Sequence, residues 1–418
     1  MIILKRSVAT CAALVGSTLW LAACVTDTGL PPTSTAQGGG AGATGTPSGG
    51  AGAAGTPSAG AAGTFDAGGG GATGSAGASV AGAAGTAGVS SSAGAGGVTA
   101  GAGGSTVDPG NAGDGLRVLP QPFKDAPEIS KLDGVPHGKV LSFTFAKGVS
   151  QRYPKAPARG VKIYVPLQYV TGTPAPVMVV QDGDNFFGFP DLVSNTLDNL
   201  IAEKKLPPIV AVFPNNGGGD AQGSERGLEY DTLSGVYAEW VDQELLPRAE
   251  QETKAQLAAQ AVTFTKDPEG RCGMGGSSGG IASFIMAWYH PDLFRRALTF
   301  SPSFVAQESP MNPAHPLGAW NFHEDKDEDD GGIIAKTDPI KPIRVWMEAG
   351  TNDLNGGTEY PHYDLEYGAR RSQLKMTAKG YHVHLDIGTN AAHVDGNVVK
   401  QTLPEAMLWV WRGYQGVQ

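Results

Sequence analysis

Two overlapping copies of the pattern G-x-S-x-G lie in the stretch "RCGMGGSSGG", residues 271–280. One copy centres on Ser277 and the other on Ser278. In enzymes with this pattern the serine sits on a sharp turn between a strand and a helix, where glycines permit the crowded backbone. A serine hydroxyl is a weak nucleophile until a base takes its proton and a third group holds that base. The motif therefore predicts acyl-transfer chemistry if such a turn forms and a histidine and a carboxylate accompany it.

The segments around the motif have the pattern that this turn requires. Residues 271–274 can form a short strand, and the helical pattern "GIASFIMAWYH" follows and ends at Pro291. Elsewhere, continuous apolar runs such as 175–183 and 343–350 predict strands that are covered on both faces. Their alternation with helical patterns predicts a mainly parallel α/β sheet with helices on both faces, whose sites lie at the carboxyl ends of strands. The predicted strands are 138–145, 159–166, 175–183, 207–216 and 343–350, and the predicted helices are 190–204, 230–246, 280–290, 369–379 and 403–411.

The motif and its surroundings resemble the esterases of the α/β-hydrolase fold that include the esterase D-like and enterochelin esterase-like enzymes. Their elbow usually reads G-x-S-x-G-G before a helix of small residues. Centring on Ser277 gives "GGSSGGIA" and keeps the second glycine, whereas centring on Ser278 loses it. The resemblance covers most of residues 160–414 and runs through "ERGLEYDTLSGVYAEWVDQELLP", "HPDLFRRALTFSPSF", "KPIRVWMEAGTNDLNG" and "NAAHVDGNVVKQTLPEAMLWVWRGY". It implies the α/β-hydrolase fold, hydrolysis of a carboxylic ester and Ser277 as the nucleophile.

The base of the triad is expected in a loop near the end of the chain. In this fold the order is serine, acid, histidine, and four histidines follow the strand at 343–350, namely His362, His382, His384 and His393. His382 and His384 alternate within "YHVHLDIG", which has the pattern of a strand, so we expect them on the sheet faces. His393 lies in the loop beyond that strand and is the predicted base. The alternative is an ordinary surface loop histidine.

The acid of the triad is expected in the stretch "GTNDLNG", directly after a predicted strand. Asp353 is the first carboxylate beyond the strand end, and the resemblance also points to it. Glu348 lies inside the strand, where it could face either side of the sheet. Asp364 and Glu366 are the alternatives if the loop folds back.

Two backbone N–H donors are needed to bind the oxyanion of the tetrahedral intermediate. One should be the N–H of Ser278, which follows the nucleophile and begins a helix. The resemblance places the other in the turn that ends "VMVVQDGD", where Gly183 and Asp184 are the candidates.

Two further stretches are candidates for binding. Trp320, Phe322 and His323 lie where this fold often inserts cap elements, so Trp320 and His323 could line the acyl or alcohol pocket, or they could pack under a loop. The acidic stretch "EDKDEDDGG", 324–332, looks like a calcium loop, but in the EF-hand register an aspartate replaces the required glycine and a lysine replaces the bidentate glutamate. A solvated loop without a metal is therefore the favoured interpretation.

The N-terminus, residues 1–24, has the pattern of an export signal: two basic residues, an apolar run and then "LAAC". "LAAC" resembles the lipobox of bacterial lipoproteins, in which the cysteine, here Cys24, carries the lipid. The alternative is an ordinary secretory signal that is cut nearby. Both interpretations predict export, and the lipobox predicts a chain anchored to the bacterial cell envelope, at the outer membrane or cell surface. With Cys11 inside the signal and Cys24 carrying the lipid, Cys272 is left without a disulfide partner in the mature chain.

Residues 25–115 consist largely of Gly, Ala, Ser and Thr, whereas residues 116–418 have the composition of one sizeable folded domain. Because the first segment has almost no large apolar residue, it cannot offset its ordering entropy, and we expect a disordered tether. The chain carries a net charge of −10 and has no stripe of basic residues. This balance argues against a nucleic acid partner.

Together these observations predict an exported serine esterase that cleaves a small-molecule or polysaccharide-linked ester through an acyl-enzyme intermediate. This chemistry needs no metal and no organic cofactor. Two alternatives stay open: transfer of the acyl group to a sugar acceptor, and a non-catalytic surface binding module on a hydrolase scaffold. Feruloyl, acetyl, siderophore lactone and simple short-chain esters are all compatible with the sequence.

Overall fold

The structure, a computed structural model, describes residues 110–184, 187–219, 223–307, 310, 312–324, 331–356 and 361–414. The predicted signal with Cys24, the tether up to residue 109 and residues 325–330 of the acidic stretch lie outside the described residues. Within these ranges, every helix is too short or too polar to span a bilayer. The first strand begins at Gly115, one residue before the predicted start of the folded domain.

Eleven strands occur among the described residues: β1 Gly115–Leu119, β2 Lys139–Phe145, β3 Arg159–Val165, β4 Pro174–Ala175, β5 Val177–Val180, β6 Val210–Pro214, β7 Thr263–Phe264, β8 Arg271–Gly276, β9 Arg296–Phe300, β10 Arg344–Gly350 and β11 His382–Gly388. Nine of them form the central sheet in the order β1-β11-β10-β9-β8-β5-β6-β3-β2, and β4 pairs with β7. In the central sheet β3 is antiparallel to β2 and to β6, and the other pairs are parallel. The predicted mainly parallel sheet of the α/β class is confirmed.

The apolar runs of the sequence form strands because both faces of the sheet are covered. Along β10, Val345 and Met347 pack into the core on one face, whereas Trp346 packs into the core on the other. Successive side chains of a strand point to opposite faces, so a strand that is buried on both sides must be apolar at every position. This is why these strands read as continuous runs and not as alternating ones.

Eight α-helices occur among the described residues: α1 Phe189–Ala202, α2 Glu225–Tyr230, α3 Val236–Trp240, α4 Leu246–Gln256, α5 Ser278–Tyr289, α6 Gly332–Lys336, α7 Leu365–Lys379 and α8 Gly396–Val410. Helices α1 and α8 cover one face of the sheet, and α5 and α7 cover the other. Asp364 caps α7 and Asp395 caps α8, each by accepting a backbone N–H of the first turn. The predicted helices on both faces are therefore present.

One predicted helix is interrupted. The pattern at 230–246 predicts a single helix, but α2 ends at Tyr230, α3 begins at Val236, and the π-helical turn Val241–Leu245 joins α3 to α4. Gly235 lies in the break, where a Cβ would lie 2.3 Å from the ring of His290. Packing against α5 therefore sets this break, which the apolar pattern alone does not reveal.

Candidate active site

Ser277 lies at the junction between β8 and α5. Its backbone has φ 57° and ψ −128°, a region that residues with a side chain rarely occupy. The two glycines of the pattern centred on Ser277 pack together, because a Cβ on Gly275 would lie 2.5 Å from the backbone of Gly279. A Cβ on Gly279 would lie 2.9 Å from Gln181 Cβ at the end of β5. This close packing requires glycine at both positions and favours the pattern centred on Ser277.

The two adjacent serines differ in exposure and in partners. Ser277 is partly exposed, whereas Ser278 is 3% exposed. The Ser278 hydroxyl accepts a hydrogen bond from Gln307 Nε2 at 3.0 Å, and the same nitrogen donates to Asp231 Oδ2 at 2.8 Å. Burial raises the pKa of Asp231 to about 6. Of the two serines, Ser277 is the one that a substrate can reach.

His393 and Asp353 lie at the carboxyl ends of the neighbouring strands β11 and β10. His393 Nδ1 lies 2.7 Å from Asp353 Oδ1, and the backbone N–H of Leu354 donates to the same oxygen at 2.7 Å. Burial is the largest single influence on Asp353 and would raise its pKa, but the hydrogen bond and charge of His393, with the hydrogen bonds from Ser301 and the Leu354 N–H, together lower it. An ionised Asp353 favours the tautomer with the proton on His393 Nδ1, which leaves Nε2 able to accept a proton.

The loops that carry the candidate acid and the candidate base, residues 351–353 and 389–393, are held together along their backbones. The N–H of Asn352 donates to the Ala391 carbonyl at 2.9 Å. A Cβ on Gly350 would lie 2.1 Å from that same carbonyl oxygen, so only glycine permits the approach. Within the described part of the chain no hydrogen bond joins Ser277 to the base, a contact that is often long in unliganded enzymes.

Ser301, which the sequence analysis did not identify, ties the base loop to the end of β9. Its buried hydroxyl oxygen accepts the N–H of Val394 at 2.9 Å, and its own N–H donates to the Glu348 carbonyl at 2.6 Å. The Ser301 hydroxyl also helps to lower the pKa of Asp353. Both Ser301 and Val394 have φ 46°, which is a strained value for a β-branched valine. Ser301 thus holds the strained backbone next to His393, and the only sequence signal for it is a serine after a short strand.

The other histidines that follow β10 have other partners. His382 Nδ1 lies 2.9 Å from Asp114 Oδ2 at the amino end of β11. His384 Nε2 lies 2.9 Å from Asp386 Oδ1 on the sheet face. His362 packs edge-on against the ring of Trp320, with the ring centroids 4.5 Å apart. The geometry therefore favours His393 as the base.

The alternative acids are also accounted for. Asp364 accepts the N–H of Tyr367 at 3.0 Å as the cap of α7, and Glu366 forms an ion pair with Arg370 on the same helix. Glu348 is fully buried in β10, and neither of its carboxyl oxygens has a hydrogen-bond partner among the described residues. Burial raises the pKa of Glu348 well above its ordinary value and so favours its neutral form.

The two candidate oxyanion donors after β5 differ. The N–H of Gly183 donates to the Pro214 carbonyl at 2.9 Å, so the prediction that Gly183 could bind the oxyanion is corrected. Asp184 stays as the candidate in this turn. The N–H of Ser278 lies in the first turn of α5, where N–H groups have no acceptor within the helix.

The turn that carries Asp184 is held by a buried ion pair that the sequence analysis missed. Asp182 has φ 55°, and its carboxylate accepts two hydrogen bonds from Arg226, at 3.0 Å from Nε and 2.8 Å from Nη2. Asn216 Nδ2 donates to the same carboxylate at 2.6 Å, and the N–H of Asp182 donates to the Tyr230 hydroxyl at 3.2 Å. These contacts fix a strained backbone directly beside the elbow.

Trp320 and His323 pack under a loop. Trp320 is 1% exposed and His323 is fully buried, and the Trp320 ring stacks on that of Tyr367 with centroids 5.7 Å apart. His323 Nε2 lies 3.1 Å from the Phe304 carbonyl, and burial lowers its pKa to about 3. The prediction that these two residues bind substrate is therefore corrected, because neither is accessible.

The remaining candidates for metal or thiol chemistry are engaged in packing. Among the described residues, no group of three or more His, Cys, Asp and Glu side chains is arranged to hold a metal ion. Glu324, the first residue of the acidic stretch, forms an ion pair with Arg371 at 2.5 Å. Cys272 is fully buried in β8, and burial raises the pKa of its thiol to about 12, so it is not a nucleophile at neutral pH.

Comparison with known proteins adds an independent line of evidence. The family model described as "Putative esterase" matches residues 156–397, which is more than half of the chain. The ferulic acid esterase of Anaeromyces mucronatus, solved in complex with ferulic acid, is 15% identical, with 70% of this chain and 97% of that chain covered and a TM-score of 0.50. The ferric enterobactin esterase of Salmonella typhimurium is 19% identical, with 66% and 59% covered and a TM-score of 0.45. No curated protein sequence matches the chain.

Proposed function

Because the chain belongs to the Putative esterase family and is a carboxylic ester hydrolase, we propose that it cleaves its substrate through a triad of Ser277, His393 and Asp353. The observation that carries this proposal is the combination of a strained, partly exposed serine with a partly buried histidine–aspartate hydrogen bond at the same edge of the sheet. Structural ion pairs are common, but a serine on a strand-to-helix turn beside one is the arrangement that acyl transfer needs.

The proposed reaction proceeds in two steps. His393 Nε2 takes the proton of the Ser277 hydroxyl as its oxygen bonds to the ester carbonyl carbon, and the alcohol leaves with that proton. A water molecule then attacks the acyl-enzyme, with His393 again as the base, and the acid product leaves. Asp353 stabilises the protonated imidazole, since its carboxylate remains ionised beside it. The N–H groups of Ser278 and Asp184 stabilise the oxyanion of both tetrahedral intermediates.

The proposed substrate is a small-molecule or polysaccharide-linked carboxylic ester. One similar structure is that of a ferulic acid esterase, so feruloyl esters belong in the first panel of substrates. Siderophore esters join them because the sequence is compatible with both. Acetyl and short-chain nitrophenyl esters complete the panel, because nothing in the triad itself selects the acyl group.

The test of the proposal is labelling with a fluorophosphonate probe, followed by the ester panel. We expect stoichiometric labelling on the peptide that contains residues 271–280, and release of acid from at least one ester. A folded protein that neither reacts with the probe nor hydrolyses any ester would instead be a binding module on a hydrolase scaffold. Adding a sugar acceptor to the panel separates hydrolysis from acyl transfer, since transfer yields a new ester in place of free acid.

We also propose that the chain is exported and anchored through a lipid on Cys24, on the strength of the "LAAC" sequence after an apolar run. Cys24→Ser should abolish lipid labelling and move the protein from the membrane fraction to the soluble one. Unchanged fractionation would contradict the anchor and leave the esterase assignment untouched.

A further inference from the structure

A cleft of about 530 Å³ lies at the amino ends of β9, β10 and β11, the edge of the sheet opposite to Ser277. Strand β10 alone has seven residues, so about 20 Å of sheet separates this cleft from the acid loop. Six basic or imidazole side chains line the cleft, whereas the chain as a whole carries a net charge of −10. They are Arg295, Arg296, Lys341, Arg344, His382 and Arg412.

The inner part of this basic group has a structural role. Arg296 and Arg344 are direct partners on the neighbouring strands β9 and β10, and like charges in register are destabilising unless other groups neutralise them. The carbonyls at the end of α8 supply that neutralisation: Val410 accepts from Arg296, and Trp409 accepts from Arg344 Nε at 2.8 Å. Glu269 adds an ion pair to Arg296 at 2.8 Å. These two arginines therefore cap a helix.

The outer part is not neutralised in this way. Lys341 Nζ lies 5.5 Å from the ring centroid of Trp288 and forms no ion pair within the described part of the chain. Arg412 donates Nη1 to the Ala112 carbonyl, which is a neutral partner. Arg295 is 30% exposed. Its Nε donates to the Pro291 carbonyl at 3.0 Å, and its Nη1 shares the single carboxylate of Glu269 with Arg296. Spare N–H donors and excess positive charge thus face a cavity large enough for a small anion.

We propose that this cleft binds a phosphate monoester dianion. An arginine fork matches two phosphate oxygens, and a lysine adds a mobile point charge. Arg412 and Lys341, with the charge of Arg295 beside them, therefore suit a tetrahedral group with two charges. A singly charged carboxylate would leave more of the positive charge uncompensated. The phosphate could belong to a free metabolite or to a lipid headgroup. The geometry allows a headgroup, because the chain enters the domain beside the cleft, where Ala112 contacts Arg412.

The test is isothermal titration of the full chain with inorganic phosphate at constant ionic strength, with acetate as the comparison anion. We expect saturable binding of phosphate that the double variant Lys341→Met, Arg412→Gln weakens by about tenfold or more, since it removes charge-assisted hydrogen bonds. The matched control is Lys147→Met, Lys162→Met, which removes two positive charges elsewhere on the domain. Melting temperatures of both variants establish that they are folded.

Vesicle binding distinguishes the two sources of phosphate. In a Cys24→Ser background, which removes the proposed lipid, sedimentation with phosphatidic acid vesicles, compared with phosphatidylcholine, should be lost in the Lys341→Met, Arg412→Gln variant if a headgroup reaches the cleft. Phosphate binding without vesicle binding would assign the cleft to free phosphate compounds. The proposal is overturned if no saturable binding is seen up to about 10 mM phosphate, or if both double variants bind phosphate equally.

Discussion

At the carboxyl ends of the strands the backbone of this protein is strained at several non-glycine residues, whereas the amino ends of β9, β10 and β11 carry charge. Asp182, Ser277, Ser301 and Val394 all have positive φ at the carboxyl edge. At the amino edge, three neighbouring strands instead begin with Arg296, Arg344 and His382, which lie in register. Backbone strain persists only where surrounding contacts over-determine it, and it concentrates where reactive groups must be positioned. Buried charge persists only where it is paired or capped.

The two edges are therefore stabilised by different means. The Asp182 turn is held by Arg226, and the Val394 turn is held by the Ser301 hydroxyl. At the amino edge, helix-end carbonyls and the carboxylate of Glu269 hold the arginines. If this distinction is correct, substitutions at the carboxyl edge should change the rate of ester cleavage more than the stability. Substitutions at the amino edge should change the stability more than the rate of ester cleavage.

The strongest test of the carboxyl edge is Ser277→Ala. It removes the attacking oxygen, so we expect kcat to fall by about 10⁴-fold to 10⁶-fold, the scale observed for triad serines. The matched control is Ser278→Ala, which keeps the backbone N–H and should cost no more than about tenfold. Equal losses in the two variants, or a larger loss for Ser278→Ala, would show that Ser277 is wrongly assigned as the nucleophile.

The next largest effect is expected for Asp353→Asn, by about 10⁴-fold in kcat, because an amide no longer favours the productive tautomer of His393. Asp364→Asn is the control, since that residue caps α7 and lies outside the proposed triad. Asparagine caps a helix about as well as aspartate, so both the activity and the free energy of unfolding should stay near those of the parent. If Asp364→Asn instead abolished activity while Asp353→Asn did not, the acid would be misassigned.

Ser301→Ala tests whether the strained base loop needs its hydrogen bond. We expect kcat to fall by about tenfold with KM nearly unchanged, because one hydrogen bond of about 1 kcal/mol positions His393 indirectly. Ser301→Gly removes the same hydroxyl but accepts a positive φ without strain. Both variants should therefore lose the same activity, while the glycine variant melts at a higher temperature. Activity that followed melting temperature and not the hydroxyl would show a merely structural role.

Much of this arrangement could be predicted from the sequence because its signals are local. Continuous apolar runs indicated the buried strands, and glycines at fixed offsets indicated the elbow at Ser277. The partners that act over long sequence distances could not be predicted. The Ser301 contact spans 93 residues and the Arg226 contact spans 44, and no local pattern encodes either. The predicted roles of Gly183 and Trp320 were wrong for a related reason. The N–H of Gly183 is bonded to the neighbouring strand β6, and Trp320 is buried away from solvent.

The smallest expected effect on activity comes from Glu348→Gln, between the two edges on β10. Burial raises the pKa of Glu348 well above its ordinary value of 4.5, so the folded protein retains this proton at a pH where the unfolded chain releases it. The carboxyl therefore costs stability increasingly as pH rises above its ordinary pKa. Glutamine cannot ionise, so the variant should melt at a higher temperature than the parent at pH 8, by about 2–4 °C for each kcal/mol recovered, and at the same temperature at pH 4.

Glu203→Gln, at an exposed surface ion pair, is the control and should change little at either pH. Esterase activity of Glu348→Gln should stay near that of the parent, and a loss of several orders of magnitude would mean that Glu348, and not Asp353, is the acid.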